Sequence, residues 1–274
     1  LVLVVLMRRL SQPSLDIAVL RHGGFRLLLV VVLLVPFAAL WYYFTIGLQY
    51  VYGYTALESA IIMVPAELMA IAGAWWSGRL MKSRGIRFTG TLALLIMSLS
   101  LFLTTTQTVT MPLVVSLLIV CLYSAALTGA NAPVTTSIMN LAAKGAEGSA
   151  AAFRGAAGSL GNAVGVVMMS TLVFAIFEAS LTTELQQSGS ETSQVPEITQ
   201  DLRAGVSSEQ VSAQYAVPLA DVEDIAVEQK EAMVDAYRAQ GLAGGVIVLV
   251  AAGIFAFNRR GLDKHRPGVG LPPR

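Results

Sequence analysis

The chain has 274 residues, of which 55% are hydrophobic and only 13% charged, and its formal net charge is +1 at pH 7. Soluble domains carry about 25% charged residues, so this balance points to a bilayer rather than to a large water-soluble core. The near-zero net charge leaves no global field to attract nucleic acid. One cysteine, Cys121, excludes an intrachain disulfide framework and a cysteine-based metal site. His22 and His265 each adjoin an arginine. They read as solvated, membrane-flanking residues, and neither a metal nor a cofactor is expected.

Leu1–Met7 is an apolar run that stops at Arg8 and Arg9. A signal peptide carries its charges before the apolar stretch, not after it. Seven residues reach only about 10 Å as helix, against a bilayer core of about 30 Å. Residues 1–26 therefore read as the end of a preceding transmembrane helix plus a cytoplasmic connection, and the chain as a fragment of something longer.

Six segments are then long and apolar enough to span: Leu27–Leu48, Leu57–Leu80, Phe88–Thr106, Leu113–Met139, Gly155–Phe177 and Ala239–Phe257. The fold class is an all-α integral membrane protein, a six-helix transmembrane bundle. Residues 27–178 carry the first five spans, 179–238 an acidic extracellular loop with short helices, 239–258 the sixth span and 259–274 a basic tail. The polar connections alternate in charge. Arg8, Arg9, Arg21 and Arg26 precede the first span; Arg79, Lys82, Arg84 and Arg87 follow the second; Lys144 and Arg154 follow the fourth; Arg259, Arg260, Lys264, Arg266 and Arg274 follow the sixth. Together these are fifteen of the 18 basic residues. The positive-inside rule then puts both ends in the cytoplasm. Of the outer connections, Glu178–Arg238 is long, with twelve Asp or Glu against three basic residues. It reads as a solvated cap or as a local lure for cations. Pro196–Ala204 and Val222–Tyr237 are its helix-like stretches.

Aromatics mark the outer side. Trp41, Tyr42, Tyr43 and Phe44 are contiguous, so on a helix they point in four directions. Most suit the membrane–water interface. One or two, with Trp41 and Tyr43 as candidates, can face the bundle interior as a substrate surface.

Glu67 follows Pro65 inside the second span, near the bilayer midplane. Desolvation penalises its charged form, and intramembrane acids usually face a cavity and carry function. It reads either as a proton carrier or as a protonated carboxyl bonded to a neighbouring helix. Glu58, at the outer helix end, reads as an N-terminal dipole partner. Pro36, Pro65 and Pro133 each remove a helical hydrogen bond and predict kinks. Gly129, Asn131 and Pro133 predict a break in the fourth span. Asn131 either bonds between helices or contacts substrate. In the fifth span Gly158, Gly161 and Gly165 predict close helix packing, with Asn162 in the same strip and able to face a cavity. No HExxH, GxSxG, CxxC or phosphate-cradling pattern occurs. An intramembrane enzyme needs a second buried acid or histidine, which the spans lack.

Several motifs together resemble one family. Arg8-Arg9 through Pro13, Leu15-Asp16, Leu20 and Arg21, the outer turn Gln49–Ala60 with Pro65 after it, and Gly78-Arg79-Leu80 through Arg84-Gly85 and Arg87 occur in the order found in the C-terminal half of the 14-helix drug:proton antiporters of the major facilitator superfamily. Pro133, Gly148, Gly161 and Gly165 are similar to its pattern across the fourth and fifth spans. The loop motif departs from the family at Lys82-Ser83, where the family has Asp-Arg. The resemblance implies alternating-access export of hydrophobic or cationic compounds from a plasma membrane, driven by proton influx. It also implies a cavity between this half and a missing N-terminal half. The partners would be the lipid bilayer, protons, a small-molecule substrate and that missing half. Trp41, Tyr43, Asn131 and Asn162 are the expected cavity residues, and Glu67 the expected coupling residue. The alternative is a truncated, non-transporting scaffold or a half-transporter that needs a partner chain.

Overall fold

The computed structural model describes residues 16–38, 40–142, 145–188, 197–198, 201 and 206–258. Among these residues the regular structure is helical, with no strand. The leading segment 1–15, Lys144, most of Pro196–Ala204 and the basic tail 259–274 lie outside them. The helices are α1 (Gly23–Leu34), α2 (Leu40–Tyr50), α3 (Ala56–Ile62), α4 (Val64–Leu103), α5 (Leu113–Leu141), α6 (Glu147–Ser188), α7 (Ser208–Tyr215) and α8 (Leu219–Phe257).

Five helical stretches are long and apolar enough to cross a membrane. One of them, Ala56–Thr106, makes two crossings. Gly85 interrupts α4 with φ 83° and ψ 167°, a backbone region that is essentially glycine-only. Ser77 and Ala93 flank it symmetrically and would be about 24 Å apart in a straight helix. Yet a Cβ on Gly129 of α5 would lie 3.8 Å from each of them. Both limbs of α4 therefore return to the same place on α5, and six crossings result. Outward-facing side chains are strongly apolar, with Ile71 68% and Trp75 65% exposed. Such a surface suits lipid, not water.

The crossings alternate between two ends. At one end Asp16 N–H donates to Ser149 Oγ at 2.7 Å, Asn258 Nδ2 donates to the Gly24 carbonyl at 2.8 Å, and Gly90 abuts the Phe255 ring. At the other end the Tyr52 hydroxyl donates to the Met111 carbonyl at 3.2 Å, and Arg238 Nε to the Gln107 carbonyl at 2.8 Å. Pairing of residue 24 with 258 and, through Gln240 Nε2 to the Ala38 carbonyl, of residue 38 with 240 fixes α8 antiparallel to the first span.

The prolines act differently from one another. At Pro36 the first span breaks into α1, a 3-10 turn Val35–Ala38 and α2. Pro65 sits in the first turn of α4, where its missing N–H costs nothing, and so starts a helix rather than kinking one. Just before it, Thr55 and Glu58 form a reciprocal capping box on α3, in line with the expected role of Glu58 at a helix start. The predicted break at Gly129–Pro133 is absent, because α5 runs continuously through Pro133. Pro133 cannot donate to the Gly129 carbonyl, and Ser77 Oγ donates to it instead at 2.6 Å. Ser77→Ala is expected to cost about 1 kcal/mol, the worth of one buried bond. In a Pro133→Ala background most of that cost should vanish, because the restored backbone N–H at that position then serves the Gly129 carbonyl. Thermal unfolding of the four-member cycle in detergent measures this coupling.

Two expected boundaries need correction. The fifth span belongs to a helix running from Glu147 to Ser188, and the sixth to one starting at Leu219 rather than Ala239. Val222–Tyr237 is helical as expected but continuous with the sixth span, because Pro218 caps the helix start and polar residues do not end a helix once it has left lipid. Beside α8, a small core of Ile198, Val211, Val217, Val222 and Ile225 gathers under α7. There the Tyr215 hydroxyl donates to Asp201 Oδ2 at 2.8 Å. That hydrogen bond to a carboxylate raises the phenol above its ordinary pKa.

Candidate functional site

The crossings formed by α1–α2, α5 and α6 enclose a cavity of about 530 Å³ that opens at the bundle surface. Helical periodicity builds its walls. Arg154, Gly158, Asn162 and Val166 recur every four residues and form one stripe of α6. Tyr123, Leu127, Ala130, Asn131 and Val134 form a stripe of α5, Gly155 and Ser159 flank the α6 stripe, and Val32, Val35, Pro36, Trp41 and Tyr42 complete the lining. The volume falls in the range of small-molecule sites, which combine apolar walls with a few polar groups. Trp41 is fixed by its indole N–H, which donates to the buried Ser124 Oγ at 2.6 Å. At the cavity's other end Arg154 Nη2 donates to Asn131 Oδ1 at 3.4 Å. Among the described residues, no carboxylate lines the cavity.

Three of the four residues expected from sequence, Trp41, Asn131 and Asn162, therefore lie on one cavity. Tyr43 does not. It is 1% exposed, its ring packs with Phe37, Met169 and Phe177, and its hydroxyl lies 3.2 Å from Ser170 Oγ. The neighbouring Tyr42, half-exposed, lines the cavity in its place. Adjacent residues on a helix point about 100° apart, so one position decides between core and cavity.

Glu67 is exposed on the first turn of α4 and is not among the lining residues. A second, apolar groove of about 400 Å³ runs along α4 past Met69, Ala72 and Trp76. At 100° per residue Glu67 falls on the opposite flank of the helix from those three. Of the expected loop motif, Gly85 makes the positive-φ turn and Gly78 has open space around it. The Arg79 guanidinium lies 4.8 Å from the Trp75 ring centroid and that of Arg84 5.5 Å from Phe88, while Arg87 is half-buried. Of the packing glycines, Gly161 and Gly165 touch the first span. A Cβ on Gly161 would fall 2.4 Å from the Leu33 carbonyl oxygen, and one on Gly165 3.1 Å from the Phe37 backbone. Gly158 has only Val32 Cγ1 at 3.7 Å and belongs to the cavity wall, not to a tight contact.

Arg154, Tyr42 and Ser159 are lining residues that sequence reasoning missed. In the sequence Arg154 reads only as one of the basic residues of a connection. Its spacing of eight from Asn162, two full turns along one face, is the signal that could have found it.

The profile of the Major Facilitator Superfamily matches residues 6–166. That match covers more than half of the chain and reaches from the segment before α1 to Val166, the last residue of the cavity lining. A search of curated proteins gives no significant match. The helical architecture, the membrane-length crossings and this match agree, and the chain belongs to the Major Facilitator Superfamily of membrane transporters.

Proposed function

We propose that this chain is one half of a proton-coupled exporter of small hydrophobic compounds in a plasma membrane, with both ends cytoplasmic. The observation that carries this reading is the 530 Å³ cavity, walled by Trp41, Tyr42 and aliphatic side chains on one side and by amides on the other. A cavity open at the surface of a six-crossing bundle suits a site completed by a second bundle, so the missing N-terminal half is the natural partner. Charge alternation along the sequence supports the orientation. Glu67 supports proton coupling, because the sequence places this carboxyl inside the second span and it is exposed on α4, free of the apolar groove. The cationic cargo implied by resemblance gains no support from this wall, which lacks a carboxylate among its described residues.

Vesicles holding this chain together with the N-terminal half test the reading. An inward proton gradient should drive uphill efflux of a neutral hydrophobic dye, and a protonophore should abolish it. Efflux that ignores the gradient overturns the coupling, and its absence with both halves correctly inserted overturns the transport reading.

A further inference from the structure

The cavity is lined by one cationic side chain, Arg154, with no carboxylate beside it among the described residues. Arginine stays protonated under all ordinary conditions and offers five N–H donors. Arg154 uses one of them, weakly, on Asn131 at 3.4 Å. Its Nε is buried and finds no acceptor. Among the described residues the recorded ion pair is Arg238 with Asp235, far from this site. Glu147, two turns earlier on α6, is turned back to accept from the Gly145 N–H at 2.8 Å. A cation lining a cavity with no lining carboxylate opposite it suits an anionic group brought in by a ligand.

We propose that Arg154 anchors the acidic group of an amphiphilic organic carboxylate. Asn131 and Asn162 would solvate that group, and the aromatic surface of Trp41 and Tyr42 would hold the apolar body. This assignment rests on the cavity being the transport site, and it deepens that reading by naming the substrate class. The geometry is polarised. Ser124, which fixes Trp41, lies two turns from Asn131 on α5, so the anion site and the aromatic surface are about 10 Å apart. A planar guanidinium with free donors recognises a carboxylate in two-pronged fashion, which a neutral amide site cannot do. The arrangement also rejects organic cations, because Arg154 repels them and no described lining carboxylate offsets it.

Three matched probes test this on the purified 274-residue chain in phosphatidylcholine nanodiscs: pyrenebutyrate, neutral pyrenebutanol and cationic pyrenebutylamine. The wild type should bind the carboxylate about tenfold or more tighter than the alcohol, with the amine weakest. Arg154→Gln should erase the preference for the carboxylate over the alcohol, while Arg154→Lys, which keeps the charge but loses the fork, should retain part of it. A wild type that prefers the alcohol or the amine overturns the proposal, and this arm needs no variant to fold. Carboxylate affinity unmoved by Arg154→Gln also overturns it. Displacement of the probe by added phosphatidylglycerol would assign the anion site to a lipid headgroup and overturn the free-ligand assignment. Because binding is read without a gradient, failure of efflux in the two-half vesicles leaves this result separately readable.

Discussion

Glu67→Gln is expected to abolish proton-driven efflux by the complete two-half protein while leaving membrane insertion and substrate binding intact. Glutamine keeps the size and the hydrogen-bonding oxygen of glutamate but cannot take up or release a proton. Glu67 is exposed on the first turn of α4, free of the packed face made by Ala66, Ala70, Gly73 and Ser77, so its replacement disturbs no buried contact. Two readouts separate coupling from binding. Gradient-driven uphill efflux, followed from about pH 6 to 8, should fall to background. Exchange of labelled for unlabelled substrate without a gradient should persist. Full uphill efflux by the variant across that range would remove Glu67 from the coupling mechanism.

Gly73→Ala is expected to have the largest effect on assembly. A Cβ at that position would fall 2.1 Å from the Ala125 carbonyl oxygen and 2.6 Å from its carbonyl carbon and Cα. All three are backbone atoms, so no side-chain rotation relieves the clash and the first limb of α4 must move away from α5. Two interhelical bonds flank the contact, Thr128 Oγ1 to the Ala70 carbonyl at 2.7 Å and Ser77 Oγ to the Gly129 carbonyl at 2.6 Å. Separation breaks both. The combined cost is about 3 kcal/mol, from overpacking plus two lost hydrogen bonds. That should appear as a markedly lower unfolding temperature and loss of the monodisperse species on size exclusion in detergent. Gly78→Ala, five residues on and with no heavy atom within 4 Å, is the control and should be neutral or slightly stabilising. Equal damage from both would mean that glycine content, not close approach, is what the helix needs.

Six apolar runs of bilayer length are legible along the chain, and the structure returns six crossings. Runs of apolar residues of bilayer length have one low-energy environment, and the basic connections between them recur at every second turn. Gly85 stands in the sequence only as part of a loop motif, and its backbone freedom is what the reversal inside α4 takes. Both results follow from local chemistry: hydropathy and backbone freedom are properties of a segment. The tertiary structure decided which face of each helix meets what. Tyr43 is core and Tyr42 is cavity because rotation of the short helix α2 is set by Trp41 bonding to Ser124, a residue 83 positions away. Pro133 leaves α5 unbroken because Ser77, on another helix, supplies the donor that proline lacks. Arg154 passes from a loop charge to a cavity residue because α6 begins at Glu147 and carries it a full two turns into the bundle. Glu178–Arg238 loses part of its apparent loop because helices that leave the membrane need no apolar residues to continue. In each case the deciding partner is distant in the chain, and a helix stripe read from sequence fixes spacing but not the angle at which the bundle receives it.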